Sequence, residues 1–192
     1  MRVDGSRNHI LGDVSSHTVI TNALADRLDQ RAADSLCADI RATWVDDSKM
    51  ERACKPLRRL GIRNGRSSHV GMQSLVRAVL AVDRVQPELL TFLVQRIAEL
   101  ADENFDIART LLYQLKWLDY IVDGTALCET LLAIVDVIPP ALKRDIVESL
   151  PEIIDVVSRP TAIEALGELR DANHSMMAPI VDALGALGVD DA

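Results

Sequence analysis

The sequence predicts an all-α protein of the HEAT-like α-solenoid class, in which antiparallel helix pairs repeat along the chain. Apolar residues recur at steps of three and four from residue 69 onward, as in helices that bury one face. The predicted helices begin near residues 87, 105, 125, 140, 161 and 176, so alternate starts lie 35 to 38 residues apart. Tetratricopeptide arrays have a period of about 34 residues and HEAT-like arrays one of about 40 to 47. The tetratricopeptide signature W-x-x-L-G-x-x-Y is absent, which favours HEAT-like pairs.

Composition and charge limit the functions that this chain can have. Of its 192 residues, 48% are hydrophobic and only 3% are aromatic, so aliphatic side chains must form the core. The net charge of −8 is uneven, because residues 41–84 carry 10 Lys and Arg against 4 Asp and Glu, whereas residues 85–192 carry 7 against 19. We therefore expect no nucleic-acid binding over the whole surface, although a local basic patch is compatible with the sequence.

The N-terminal part of the chain carries weaker signals than the rest. Residues 1–15 are polar and lack periodicity, so we expect a flexible tail there, with the helical-repeat segment over residues 16–192. The residues Ser48-Lys49-Met50-Glu51 fit a capping box, which predicts a helix that runs to about Leu60. Two further helices are expected upstream, at about 16–31 and 33–44.

Further along, prolines and small polar residues mark the helix boundaries. Pro87 is expected in the first turn of one helix, and Asn104 as the cap of the next. The apolar stripe from Ile107 to Val122 indicates that this next helix continues until Gly124 ends it.

Four signals predict the helices of the last third of the chain. Pro139 and Pro140 should end one helix and open another, and Pro151 should open a short one. The residues Thr161-Ala162-Ile163-Glu164 form a second capping box. A last apolar segment extends from Met176 to Leu187.

The final apolar segment predicts that the array is truncated at its C-terminal end. Asp182 is the only charged residue in residues 178–189. Because a terminal solenoid repeat normally has a polar outer face, we expect a face there that another repeat or a partner covers. The residues assigned to this repeat-continuation face are Ile180, Leu184 and Leu187.

The sequence offers no catalytic, metal-binding or cofactor-binding pattern. Cys37, Cys54 and Cys128 form no C-x-x-C pair, which is typical of reduced, intracellular cysteines that act as small buried hydrophobes. The histidines lack ligand spacing, and no phosphate loop or nucleophile elbow occurs. Because these catalytic patterns are absent, we expect no enzymatic activity. No apolar run is long enough to span a membrane, so we also expect no membrane partner.

A basic stretch and three aromatic residues are the candidate binding features. The basic stretch is interpreted first as a solvated helix face, then as a contact for DNA phosphates or an acidic partner, and last as a nuclear-import signal. Tyr113, Trp117 and Tyr120 are expected to pack between neighbouring repeats, with a binding pocket as the alternative. The candidate contact residues of the basic stretch are Arg52, Lys55, Arg58, Arg59, Arg63 and Arg66.

Two segments of the chain resemble a known family. Residues 114–124 read QLKWLDYIVDG and residues 139–153 read PPALKRDIVESLPEI. They are similar to the Q-L-K-W-L-D-x-x-V-D-G and P-x-x-L-x-x-D-I-x-x-S-L-P-E-I motifs of the Fanconi anaemia group D-two proteins. Residues 80–90 and 179–190 also fit, so the resemblance covers residues 70–190 in one colinear order.

The resemblance implies a nuclear α-solenoid scaffold for repair of DNA interstrand cross-links. Such proteins pair with a related group I subunit, clamp double-stranded DNA, and are monoubiquitinated on one lysine by a ubiquitin-ligase core complex. That lysine lies beyond the matched segment, so none of Lys49, Lys55, Lys116 and Lys143 corresponds to it. Double-stranded DNA is therefore expected as a partner only through the full-length complex. The alternative is a HEAT-like adaptor for protein trafficking.

Overall fold

A computed structural model describes residues 30–56, 74–172 and 174–188 of the chain. Within these ranges the protein is all-α, and the one extended contact is an isolated antiparallel bridge between Pro56 and Ser74. A short 3-10 turn, His174–Met176, precedes the last helix. The helices of the described ranges are α1 (Gln30–Trp44), α2 (Asp47–Cys54), α3 (Leu75–Leu80), α4 (Gln86–Glu103), α5 (Phe105–Lys116), α6 (Gly124–Ile134), α7 (Pro140–Ile153), α8 (Arg159–Ala172) and α9 (Met177–Ala186).

The helices form two rows, as the predicted solenoid requires. In one row α4 packs against α1 and α6, and α6 packs against α8. In the other row α5 packs against α2 and α7, and α7 packs against α9. The six helices from α4 onward begin within two residues of their predicted starts, so the recurring helix pair is confirmed. The predicted tail, residues 1–15, and the predicted helix at about 16–31, except for its last two residues, lie outside the described residues.

One aliphatic core runs through the array. Burying each of its large side chains stabilises the fold by roughly 1.5–3 kcal/mol. Cys37, Cys54 and Cys128 are buried free thiols, as predicted, and burial raises their pKa to about 11, 12 and 11. The largest fully buried side chains are Met50, Leu80, Leu89, Leu93, Ile97, Leu100, Leu111, Leu112, Leu115, Leu131, Leu142 and Ile146.

The boundaries of α2 differ from the prediction at both ends. Asp46, and not Ser48, caps the helix, because its carboxylate accepts a hydrogen bond from the Lys49 amide at 3.0 Å. A carboxylate at this position also interacts favourably with the helix dipole, which explains the earlier start. The helix ends at Cys54, and Lys55 is already extended, so the prediction that it continues to Leu60 is wrong.

Helix α5 is shorter than predicted. It ends at Lys116, and Gly124 opens α6 instead of ending α5. The carboxylate of Asp123 accepts a hydrogen bond from the Ala126 amide at 2.9 Å and thereby caps α6. Asn104 stands at the predicted cap position of α5, although its side chain makes no capping hydrogen bond. Residues 117–123 therefore form a connection between helices, which decides where the aromatic side chains lie.

Pro151 and Thr161 do not begin helices. Pro151 lies in the last turn of α7, where Leu150 and Ile153 are both buried on either side of it. This burial keeps the backbone helical although proline removes one helical hydrogen bond. Helix α8 begins at Arg159, two residues before the predicted capping box at Thr161.

The predicted repeat-continuation face is covered by this chain itself. Ile180 is 0% exposed, Leu187 is 4% exposed, and Leu184 is partly buried against the core. They are buried because α9 packs against α7 and α8. The assignment of these three residues to an open face is corrected. The large apolar side chains that α9 does expose are those of Met177 and Val181.

Gln86 holds the connection between α5 and α6 in place. Its side chain is almost fully buried and donates hydrogen bonds to the carbonyls of Leu80 at 2.8 Å and Tyr120 at 2.9 Å. Its carbonyl oxygen accepts a hydrogen bond from the Val122 amide at 2.6 Å. One amide side chain therefore satisfies backbone groups of two successive connections, because it can donate and accept at once.

We expect Gln86→Leu to lower the free energy of unfolding by about 3 kcal/mol, because two carbonyls and one amide lose their partner. Urea unfolding monitored by circular dichroism measures this loss. The matched control is Gln95→Leu, an exposed position on the same helix, where a change within about 0.5 kcal/mol is expected. Equal losses in the two variants would contradict the role of Gln86.

Gly124 permits the close approach of the next connection. A Cβ atom at this position would lie 2.7 Å from the Ser158 Oγ and 3.2 Å from the Asp155 Oδ1. Ser158 is buried, and its hydroxyl donates to the Asp155 carboxylate at 2.7 Å. The start of α6 thus packs directly onto the residues that connect α7 to α8.

We expect Gly124→Ala to lower the free energy of unfolding by about 1 to 3 kcal/mol, because the added methyl group overlaps Ser158. Gly167→Ala is the control, since a Cβ there meets no atom within 4 Å. Gly167 lies within a helix, so alanine should stabilise the protein there by about 0.5 to 1 kcal/mol. Chemical denaturation of both variants tests the difference in sign.

Candidate interaction surfaces

The basic stretch is described only in its first part. Arg52 and Lys55 are exposed, and the Lys55 Nζ lies 2.9 Å from the Glu51 Oε1 on the same helix. Arg58, Arg59, Arg63 and Arg66 lie outside the described residues. Because α2 ends at Cys54, the predicted continuous basic face through Arg59 is not formed by that helix. A contact of these residues with DNA phosphates or an acidic partner stays a prediction.

The aromatic residues lie on the surface and not between repeats. The exposed fractions are 39% for Tyr113, 62% for Trp117 and 63% for Tyr120. The prediction that they pack in the core is wrong, because α5 ends at Lys116 and the chain then leaves the helical spacing that would have turned Trp117 and Tyr120 inward. The signal that could have indicated this end is Asp123-Gly124, an aspartate that caps the following helix.

Ion pairs join α5 to α7 across the neighbouring repeats. The Arg109 Nη2 donates to the Asp145 Oδ1 at 3.1 Å, and its Nε lies 2.8 Å from the Asp145 Oδ2 as an ion-pair contact without hydrogen-bond geometry. The charge of Asp145, the strongest influence, raises the pKa of Arg109. The Lys116 Nζ lies 2.6 Å from the Glu152 Oε1. Since Arg109 and Glu152 are substantially exposed, such pairs set register more than stability.

Three connections lie on one edge of the array. Gln86 links residues 81–85 to residues 117–123, and the contacts of Gly124 link residues 117–123 to residues 154–158. The Lys116–Glu152 pair joins the helix ends beside the second and third connections. We call these three connections together the connector edge. Successive repeats therefore present their loops side by side, as a solenoid requires.

The described residues contain no assembled catalytic or metal centre. Among them, no group of three or more His, Cys, Asp and Glu side chains could hold a metal ion. None of the described helices is both long enough and apolar enough to cross a bilayer. One small cleft of about 60 Å³ is lined by Pro87, Leu90 and Asp123, among others, and a wider one of about 270 Å³ by Glu51 and Thr110, among others. The first is far below the roughly 300 Å³ of a typical ligand pocket, and the second is open and mostly polar, unlike the apolar clefts that hold small ligands.

Comparison with known proteins decides the family. A family model described as "Fanconi anaemia protein FancD2 nuclease" matches residues 40–192. The chain belongs to the FancD2 family. The match confirms the resemblance predicted from the sequence and extends upstream of it into α1.

Curated members of the FancD2 family are similar to most of this chain. The Fanconi anemia group D2 protein homolog of Mus musculus is 30% identical over 154 residues, 77% of this chain and 11% of the relative. The homolog of Rattus norvegicus is 31% identical over 123 residues, 62% of this chain and 8% of the relative. The Fanconi anemia group D2 protein of Gallus gallus is 30% identical over 145 residues, which cover 71% of this chain and 10% of the relative. The chain spans about a tenth of the length of these relatives.

The motifs that pointed to the FancD2 family have structural roles here. Residues 114–124 cover the last turn of α5, the connection after it and the first residue of α6. Residues 139–153 cover α7 and its N-cap. Ser149 of the second motif lies within α7, where its hydroxyl donates to the Asp145 carbonyl at 2.6 Å. These motifs therefore specify repeat geometry and not a reactive site.

Acid should weaken the connector edge through Asp155. Hydrogen bonds from the side chain and then the backbone of Ser158 hold the pKa of Asp155 below its usual range. The Asp155 carboxylate therefore stabilises the folded state fully at pH values above its unfolded-state pKa, near 3.9. This stabilisation is lost as the pH falls through the lower pKa that Asp155 has in the folded state. We expect the difference in urea midpoint between the wild type and Asp155→Ala to shrink on acidification below about pH 4. Asp119→Ala, at an exposed position in the preceding connection, is the control, and a constant difference for Asp155→Ala would disprove the linkage.

Proposed function

We propose that this chain is a non-enzymatic scaffold segment of a nuclear protein that repairs DNA interstrand cross-links. In the full-length protein it supports pairing with the related group I subunit and monoubiquitination by the ubiquitin-ligase core complex. The observation that carries the proposal is the FancD2 family match over residues 40–192. It favours this function over a trafficking adaptor, and the two-row helical array is suited to presenting surfaces to partners.

The word "nuclease" in the description of the family names an activity that this segment is not proposed to have. Metal-dependent phosphodiester hydrolysis uses carboxylates that hold one or two metal ions beside the scissile bond. In the described ranges, no group of three or more His, Cys, Asp and Glu side chains could hold a metal ion, and several of the acidic residues are paired with Arg, Lys or backbone amides. The proposal is therefore that this part of the protein acts by binding.

DNA contact is proposed only for the full-length complex. Arg52 and Lys55 supply exposed positive charge on one side of α2 in this segment, and residues 85–192 carry a large excess of acid. An acidic surface of this kind opposes binding to phosphates over the rest of the segment. Charge reversal at Arg52 would therefore change DNA affinity of the complex without changing that of the isolated segment.

We expect tagged full-length protein to recover the group I subunit from nuclear extract after cross-linking damage, identified by mass spectrometry. A matched protein that lacks residues 40–192 should recover less of it if the segment supports pairing. Equal recovery would contradict a scaffold role for this segment, and recovery of vesicle-coat components would favour the trafficking adaptor. Incubating the purified chain with labelled duplex DNA and Mg²⁺ or Mn²⁺ should yield no cleavage, and cleavage would overturn the non-enzymatic assignment.

A further inference from the structure

Exposed apolar side chains are concentrated on the connector edge. Of the twelve exposed large apolar side chains in the described residues, five belong to the two later connections of this edge. Their exposed fractions run from 41% for Val122 to 80% for Val157. Exposed apolar side chains gathered in neighbouring connections are typical of interaction sites on folded proteins. The five residues are Trp117, Tyr120, Val122, Val156 and Val157.

The connector edge also carries an excess of negative charge. The three connections carry four exposed aspartates, at positions 83, 119, 123 and 155, against a single exposed basic residue, Arg84. None of the four carboxylates makes a described ion pair with a basic side chain, while the nearby Lys116 is already paired with Glu152. Exposed carboxylates on the same edge as exposed aromatic rings disfavour nucleic acid and acidic partners, and they attract cationic ones.

Arginine-bearing segments match both properties at once. A guanidinium group can stack on an exposed Trp or Tyr ring and pair with a carboxylate beside it. The chain already shows this geometry internally, because the guanidinium of Arg109 lies 5.7 Å from the centroid of the Tyr113 ring while it pairs with Asp145. The two exposed valines at positions 156 and 157 add a place for apolar side chains between the charges.

We propose that the connector edge binds a segment of another protein that carries arginine and apolar side chains. The rigid placement of the edge by Gln86 and by the Gly124 contact means that binding requires no rearrangement of the helices. The proposal names the chemistry of a partner for the scaffold function given above. It rests on that function only for its role in the cell, because the binding itself is measured on the purified chain.

The probe is a labelled synthetic peptide composed of Arg, Leu and Gly, added to the full 192-residue chain. Two control peptides replace either Arg with Glu or Leu with Ser. Binding is followed by anisotropy of the label and by acrylamide quenching of tryptophan fluorescence. Trp44 is 3% exposed and Trp117 is 62% exposed, so the quenchable signal reports on the connector edge. We expect the Arg-Leu peptide to bind, to protect this signal, and to bind more weakly as salt rises.

Matched variants separate this edge from the rest of the acidic surface. Trp117→Ala is expected to weaken peptide binding by about tenfold, as for an aromatic anchor at an interface. Val156→Ala combined with Val157→Ala should weaken it by about threefold. The control combines Val45→Ala with Val137→Ala, two exposed valines in connections at the opposite helix ends, and it should leave binding unchanged. Circular dichroism of each variant confirms that these surface changes leave the helices folded.

Several outcomes would overturn the proposal. Equal weakening in the two valine pairs would mean that the peptide contacts exposed apolar side chains without preference for the connector edge. Equal affinity for the Arg-Leu and Arg-Ser peptides would mean that the peptide binds only to general negative charge. Trp117 could already be protected from quenching in the free chain. If changing Arg58, Arg59, Arg63 and Arg66 to Glu removed that protection, the edge would be assigned to residues 57–73 of the same chain. Protection that grows with protein concentration would assign it to a second copy. Recovery of the group I subunit is measured separately from peptide binding. The scaffold function and the peptide-binding proposal can therefore be disproved independently of each other.

Discussion

Burial of the apolar face of each helix pair against the next pair is the interaction on which the rest of this structure depends. Helix α4 shows it most clearly, because it packs against α5 within its own pair and against α1 and α6 in its neighbours. Leu89, Leu93 and Ile97 on this helix are 0% exposed. A single helix pair could not bury these side chains, so stability comes from stacking and the array is cooperative between neighbours.

The aliphatic core leaves the placement of the connections to a few polar groups. Gln86 holds two successive connections through its amide, and Ser158 with Asp155 anchors the third against Gly124. Hydrogen bonds of buried groups are directional and costly to leave unmade, so they determine the backbone path more strictly than apolar packing does. The hydrogen bonds therefore fix the backbone of the connections, and with it the positions of the side chains that they expose.

Membership in the FancD2 family gives this arrangement its functional setting. The segment QLKWLDYIVDG identifies the family and also contains Trp117 and Tyr120, the most exposed aromatic residues of the described chain. The same residues end α5, cross to α6 and supply its capping aspartate. A short motif thus serves repeat geometry and surface chemistry together. In the proposed scaffold, unlike in an enzyme, functional residues need to be exposed at defined spacing and not gathered around one reacting atom.

The sequence by itself determined the family, the helical class, the recurring helix pair and the starts of the helices from α4 onward, because apolar periodicity and helix-opening prolines are local signals. It did not determine where α2 and α5 end or that Pro151 lies inside a helix, since those depend on what each turn packs against. It also placed Trp117 in the core and Ile180 and Leu187 on an open face, and the structure reverses both assignments. Only tertiary structure decides which apolar side chains are covered, because helical spacing shows that residues share a face but not which neighbour meets that face.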